Sequence, residues 1–235
     1  MLPQAVIFDM DGLLIDTEKV SAATFQHTCH AHNAGQVANQ YGQLIGRNQQ
    51  EQRAIFADLL PDHVDILRFD KDWRDLFLDQ LRHVVPLKPY AWSLCQWLDA
   101  AGVPMAVATS TQTAKAETLL DRAGLYGFMK QVIGGDQVLS GKPAPDLYIA
   151  AATAISCAPE HAIAFEDSHQ GVMAAHAAGV PVIHIPDLVP ADAFTRQHAV
   201  MVSENLNDAA VNLGWLDEIN RLEFGRLESN HLDPI

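Results

Sequence analysis

The chain has 235 residues, 49% hydrophobic and 19% charged, enough apolar material for one large domain or a core with a smaller insert, and not for global disorder. With 29 acidic and 15 basic residues its formal net charge is −14, which excludes bare nucleic acid and anionic membrane surfaces as expected partners. Cys29, Cys95 and Cys157 are too few and too scattered for a disulfide framework. The opening MLPQAVIFDMDG lacks the basic start and cleavage site of a signal peptide, and no apolar run approaches the ~18 residues of a membrane span. A cytoplasmic protein is expected.

The first element is a short apolar run, Ala5-Val6-Ile7-Phe8, leading into Asp9. Residues 17–86 then show helical runs broken at Asn33-Ala34-Gly35, Gly42, Gly46 and Pro61, with no convincing strand. This stretch reads as a helical insert above a crevice. Met105-Ala106-Val107-Ala108 leads into Thr109, and residues 111–123 follow as a helix with Gly124 at its left-handed cap. A weaker strand surrounds Val132-Ile133, and Pro145 opens a helix running to about Ile155. Ala162-Ile163-Ala164-Phe165 leads into Glu166-Asp167, Ser168 caps a helix ending at Gly179, and Val180-Pro181-Val182-Ile183 leads into His184.

Runs without two-residue alternation are those of strands covered on both faces, and their alternation with helices predicts a parallel α/β sheet. The expected architecture is a three-layer Rossmann-like core made of residues 1–16 and 87–225. An all-helical cap of 17–86 and a polar tail of 226–235 complete it. In such sheets the polar groups at the carboxyl ends of the strands converge on one crevice.

Asp9-Met10-Asp11-Gly12 places two carboxylates two residues apart at a strand end. A calcium-binding EF-hand would need an acid or amide at Leu13 and a glycine at Leu14, and neither is there. Ordinary turn chemistry remains open for this motif alone. Gly141-Lys142-Pro143 resembles the end of a P-loop, but Asp136 stands where that loop needs glycine and Pro143 replaces its Ser or Thr. Lys142 is either a fixed cation for a phosphate or a solvated loop lysine. Glu166-Asp167-Ser168 either caps a helix or, together with Asp9, forms an oxygen-rich site suited to Mg²⁺.

Taken together, Asp9-x-Asp11-Gly-x-x-x-Asp16-Thr-Glu, Thr109, Gly-Lys142-Pro-Ala-Pro-Asp and Glu166-Asp167-Ser-x-x-Gly-Val resemble the haloacid dehalogenase superfamily. The likeness is to its sugar-phosphate phosphatase and β-phosphoglucomutase branch and covers Val6 to about Ile185. It implies a helical cap between the first and second motifs and a Mg²⁺-dependent phosphatase acting on a small phosphorylated metabolite. By this resemblance Asp9 is the nucleophile and Asp11 the general acid and base. Thr109 and Ser110 bind phosphoryl oxygens, and Lys142 balances their charge against Asp9. Asp9, the Asp11 carbonyl and Asp167 hold the metal, with Glu166 helping directly or through water.

A dehalogenase needs no acid at Asp11, because halide leaves unprotonated. A catalytically dead sensor would be expected to have lost Asp9 or Asp11. The rival is a β-phosphoglucomutase, which carries a histidine and a cap arginine where this chain has Ser21 and Gln49. Glu18, Arg47 and Asn48 are the expected specificity residues of the cap. Arg68, Lys71, Arg74 and Arg82 read as solvated helix faces, His27, Cys29, His30 and His32 as cap surface rather than a metal cluster, and Trp73, Trp92 and Trp97 as packing residues. The expected assembly is a monomer or small homo-oligomer.

Overall fold

The computed structural model describes residues 2–45 and 49–216. In chain order, β1 (Ala5–Phe8) is followed by three helices, α1 (Thr17–Ala31), α2 (Gln49–Leu59) and α3 (Ile66–His83). Strands and helices then alternate through α4 (Ala91–Ala100), β2 (Met105–Ala108), α5 (Thr113–Arg122), β3 (Met129–Ile133) and α6 (Asp146–Ala154). The described chain closes with β4 (Ala162–Glu166), α7 (His169–Ala177), β5 (Val182–His184), α8 (Ala193–His198), β6 (Met201–Val202) and α9 (Leu206–Asn212).

The six strands form one parallel sheet in the order β3-β2-β1-β4-β5-β6. This is the Rossmann-like α/β fold expected from the sequence. Every residue of β1 and β2 is buried, as apolar runs covered on both faces require. Ala151, Ala152, Val172 and Ala175 of α6 and α7 pack with Ile7, Ala106 and Ala164 of the sheet, small side chains that let helix and strand approach closely. Because β1 lies between β2 and β4, the strand order reverses at β1, and such sheets open a crevice at the carboxyl ends of the strands there.

Thr17–Val85 forms a second compact unit, separate from the residues before and after it. Pro86 belongs with the sheet: its carbonyl accepts from the Asp16 amide at 2.8 Å, and the Lys88 amide donates to the Leu14 carbonyl at 2.9 Å. The helical unit has its own core of Phe25, Phe56, Phe69 and Trp73, whose rings meet at 5.2–6.3 Å. The Trp73 indole N–H donates to the Ser21 carbonyl at 3.1 Å, so Trp73 is a packing residue.

Cys29 is buried in that core, while His27 and His30 are exposed and His32 meets Asp72 at 3.0 Å, so the four do not form a cluster. The α3 cations pair within their own helix: Arg68 with Asp72, Lys71 with Asp75, Arg74 with Asp70 and Arg82 with Asp79.

Besides Pro86, two element boundaries differ from the sequence reading. Helix α5 starts at Thr113, because Gln112 is extended and Thr111 is engaged elsewhere. Strand β5 starts at Val182: the Val180 amide closes α7 by bonding Ala175, and Pro181 has no amide to donate. Arg47, Asn48 and the 226–235 tail lie outside the described residues.

Candidate active site

Asp9 follows β1 directly and its amide donates to the Phe165 carbonyl of β4 at 3.0 Å, so the position of Asp9 is fixed by the sheet itself. The chain then turns back tightly, with the amides of Leu14 and Ile15 both donating to the Met10 carbonyl at 2.9 and 3.1 Å. Gly12 makes the turn possible in two ways. Its φ is +90°, and a Cβ there would collide with Asp167 Oδ2.

Lys142 is almost buried and its Nζ is shared by two carboxylates, Asp9 Oδ1 and, at 2.6 Å, Glu166 Oε1. It also lies 5.3 Å from the centre of the Tyr148 ring. Glu166 is fully buried and its oxygens are heavily subscribed. Oε1 accepts from Lys142 and, at 2.9 Å, from the Tyr148 hydroxyl, while Oε2 accepts from the Ser168 amide and hydroxyl at 3.0 Å each. Four donors meet the four lone-pair directions of a carboxylate. Glu166 therefore acts foremost as the buried anchor of Lys142.

Asp9, Glu166 and Asp167 each bring a carboxylate oxygen within 4.8 Å of the others. Such crowding and burial act differently on the three acids. Burial pushes Asp9 up to about 7, against the pull of Lys142 and with further push from Glu166 and Asp11. Burial and the charges of Asp9 and Glu166 drive Asp167 well above the usual range, with Asp187 adding to them. Glu166 alone goes down, because Lys142 and its hydrogen bonds outweigh its burial. An all-oxygen cluster with excess negative charge is the donor set that a hard divalent cation such as Mg²⁺ requires, so these residues fit the metal.

Thr109 is buried at the end of β2, and its Oγ1 accepts from the Thr111 amide at 3.1 Å. That contact uses a lone pair and leaves the hydroxyl proton of Thr109 available to an oxygen in the crevice. Thr111 in turn donates its hydroxyl to Asp11 Oδ2 at 2.8 Å. Ser110, between them, is exposed. The structure thus brings Asp9, Asp11, Thr109, Lys142, Glu166 and Asp167 to the carboxyl ends of β1, β2 and β4. Glu18 lies in the helical unit, where its carboxylate accepts from the Tyr41 hydroxyl.

A haloacid dehalogenase-like hydrolase family model matches residues 6–185. The chain belongs to that family. This hydrolase is 32% identical over 190 residues to a fructose-1-phosphate phosphatase of Escherichia coli, covering 77% of this chain and 95% of that protein. It is 28% identical over 181 residues to a phosphorylated carbohydrates phosphatase of Thermotoga maritima, covering 77% and 84%. Among solved structures, a HAD family hydrolase from Deinococcus radiodurans with bound phosphate and sodium aligns at a TM-score of 0.76 and 26% identity, over 91% and 97% of the two chains. The β-phosphoglucomutase of Clostridium difficile, at 16% identity and a TM-score of 0.62 over 98% and 97%, shares the fold.

Three residues of this hydrolase, and the role of a fourth, His184, escaped the sequence reading. Tyr148 holds Glu166 from the first turns of α6, and Thr111 holds Asp11. His184 donates its Nε2–H to the Asp167 carbonyl at 3.0 Å, and burial holds its imidazole below the ordinary pKa, so it serves as a neutral brace. Asp187 sits beside Gly12 and pairs with Lys88 at 2.6 Å. The signals in sequence were slight: a second hydroxyl two residues after Thr109, and polar residues at the end of β5.

Proposed function

We propose that this hydrolase is a Mg²⁺-dependent phosphatase of a small phosphorylated metabolite, foremost a sugar phosphate, and that it works through an aspartyl-phosphate on Asp9. One observation carries the reading: Asp9 stands at the central strand end with a buried lysine on one oxygen, a second acid two residues on, and an available hydroxyl on the neighbouring strand. That set matches phosphoryl transfer, which demands in-line positioning and neutralised equatorial oxygens more than covalent chemistry from the protein. The sugar-phosphate class rests on the substrates named for the Escherichia coli and Thermotoga relatives.

In the first step an Asp9 oxygen forms a bond to phosphorus while the bond to the leaving oxygen breaks, and Asp11 gives that oxygen its proton. In the second, water gives a proton to Asp11 and attacks phosphorus, releasing phosphate and restoring Asp9. Thr109 donates to a phosphoryl oxygen and Lys142 keeps the charges of Asp9 and the phosphoryl group in balance. Ser110 is assigned a phosphate contact. Asp9, Asp167 and the Asp11 carbonyl would hold Mg²⁺, with Glu166 beside them. When bound, the metal supplies positive charge against the phosphoryl oxygens. The helical unit is assigned the choice of leaving group, with Glu18, Arg47 and Asn48 as its candidates. We further place the protein in the cytoplasm, as a monomer or small homo-oligomer. A net charge of −14 supports the absence of nucleic-acid partners, and among the described residues no helix is long and apolar enough to cross a membrane.

A β-phosphoglucomutase-type mutase is the alternative, and Ser21 and Gln49 stand against it. The Gln49 amide is already taken by Asp70 at 3.0 Å. Phosphate release from a panel of sugar phosphates, nucleotides and other esters, with Mg²⁺ or EDTA, tests the reading. Metal-dependent release from related sugar phosphates is expected. Conversion of β-glucose 1-phosphate to glucose 6-phosphate with little free phosphate would establish the mutase instead.

A further inference from the structure

The acidic cluster has a neighbour that the proposed chemistry does not use. Asp187 follows β5, and its Oδ2 lies 3.5 Å from the position a Cβ on Gly12 would take, where Asp167 Oδ2 also stands. Asp167 and Asp187 therefore face the same point of the backbone turn behind Asp11. The other oxygen, Asp187 Oδ1, accepts from Lys88 Nζ at 2.6 Å. Both side chains are largely buried, at 19% and 15% exposure. Lys88 is itself fixed, since its amide donates to the Leu14 carbonyl in the segment leaving that turn. A rigid pair of opposite charges thus stands beside the carboxylates proposed to hold the metal, in a place where solvent screens little.

We propose that Lys88 and Asp187 form a charge-balancing pair that sets how tightly the site of Asp9 and Asp167 binds its divalent cation. This rests on the metal-dependent reading above. Intact, the pair contributes almost no net charge to the site. Without Lys88, Asp187 becomes an unbalanced anion beside the cluster and strengthens cation binding. Without Asp187, Lys88 becomes an unbalanced cation and weakens it. A pair that merely braced the fold would change affinity in the same direction whichever member was lost.

The test is Mn²⁺ binding followed by electron paramagnetic resonance, with Mg²⁺ competition, on the full chain and on Lys88→Met, Asp187→Asn and the double variant. Melting in EDTA shows that each variant is folded. The dissociation constant should fall about three- to tenfold in Lys88→Met and rise about three- to tenfold in Asp187→Asn, as a buried unit charge near a divalent ion demands. The double variant should return close to the unmodified chain. Shifts of the same sign in both single variants, or none beyond twofold, would overturn the inference while leaving the metal reading intact. An unmodified chain that bound no Mn²⁺ would overturn both.

Discussion

The hydroxyl of Thr111 donates to Asp11 Oδ2 at 2.8 Å, joining the loop after β2 to the loop after β1. The Thr111 amide also donates to Thr109 Oγ1, so one residue orients both the proposed acid and the proposed phosphoryl-binding hydroxyl. Thr111→Val keeps the shape and removes the donor. Turnover should fall about tenfold with little change in KM, since orientation at the reacting centre is what is lost. Thr111→Ser should restore most of it. Steady-state kinetics on the best substrate of the panel decide the matter, and a Val variant at full turnover would remove Thr111 from the machinery.

Gly171 of α7 is confined by Glu166. A Cβ at this position would fall on the Glu166 carboxyl group, which four hydrogen bonds hold in place. Gly171→Ala should therefore displace Glu166, release Lys142 and destabilise the protein by about 2 kcal/mol, as overpacking of a well-filled interior does. Thermal melting and turnover of this variant, beside the exposed Gln170→Ala as control, check the prediction. Gln170→Ala should leave both unchanged.

In the helical unit Asp70 is buried and receives Gln49 at 3.0 Å, Arg53 at 2.6 Å and Arg74 at 2.7 Å. Burial raises its carboxyl, but the Gln49 and Arg53 hydrogen bonds and the two guanidinium charges outweigh that and hold it below its ordinary 3.8. An acid depressed on folding contributes its stability above the unfolded pKa and loses it as pH falls through the folded value. Asp70→Asn should cost about 2 kcal/mol near neutrality, discounted because both arginines are partly solvated. Urea denaturation from about pH 7 down to about pH 3 should show the gap between variant and unmodified chain narrowing with acid. A gap that stayed constant would mean the charge of Asp70 is not what stabilises α2 against α3.

The fold was legible wherever one local pattern dominated. Apolar runs such as Ala5–Phe8 and Met105–Ala108 read as strands buried on both faces, and Ser168 was readable as the cap whose hydroxyl oxygen accepts from the Gly171 amide at 3.0 Å. Beyond His184 the elements are too short for periodicity to show: β6 has two residues and α8 six. The motifs revealed which acids and which lysine belong together. They could not show that Glu166 spends its oxygens on Lys142, Tyr148 and Ser168, because that depends on the directions of side chains from three separate elements. Lys88 and Asp187, 99 residues apart, meet through tertiary packing alone.

The central claim is a covalent phosphoryl group on Asp9. Asp11→Asn should accept phosphate from a good substrate but fail to protonate the leaving group or activate water efficiently, so intermediate formation and decay are both slowed. Acid quenching of the Mg²⁺-loaded Asp11→Asn variant with that substrate, followed by peptide mass spectrometry, reads the adduct directly. One phosphoryl group on the peptide carrying Asp9, absent from an Asp9→Asn companion and from an EDTA control, is the predicted result. A companion Asp9→Asn enzyme that turned over at near the unmodified rate, with no adduct in either variant, would contradict the account.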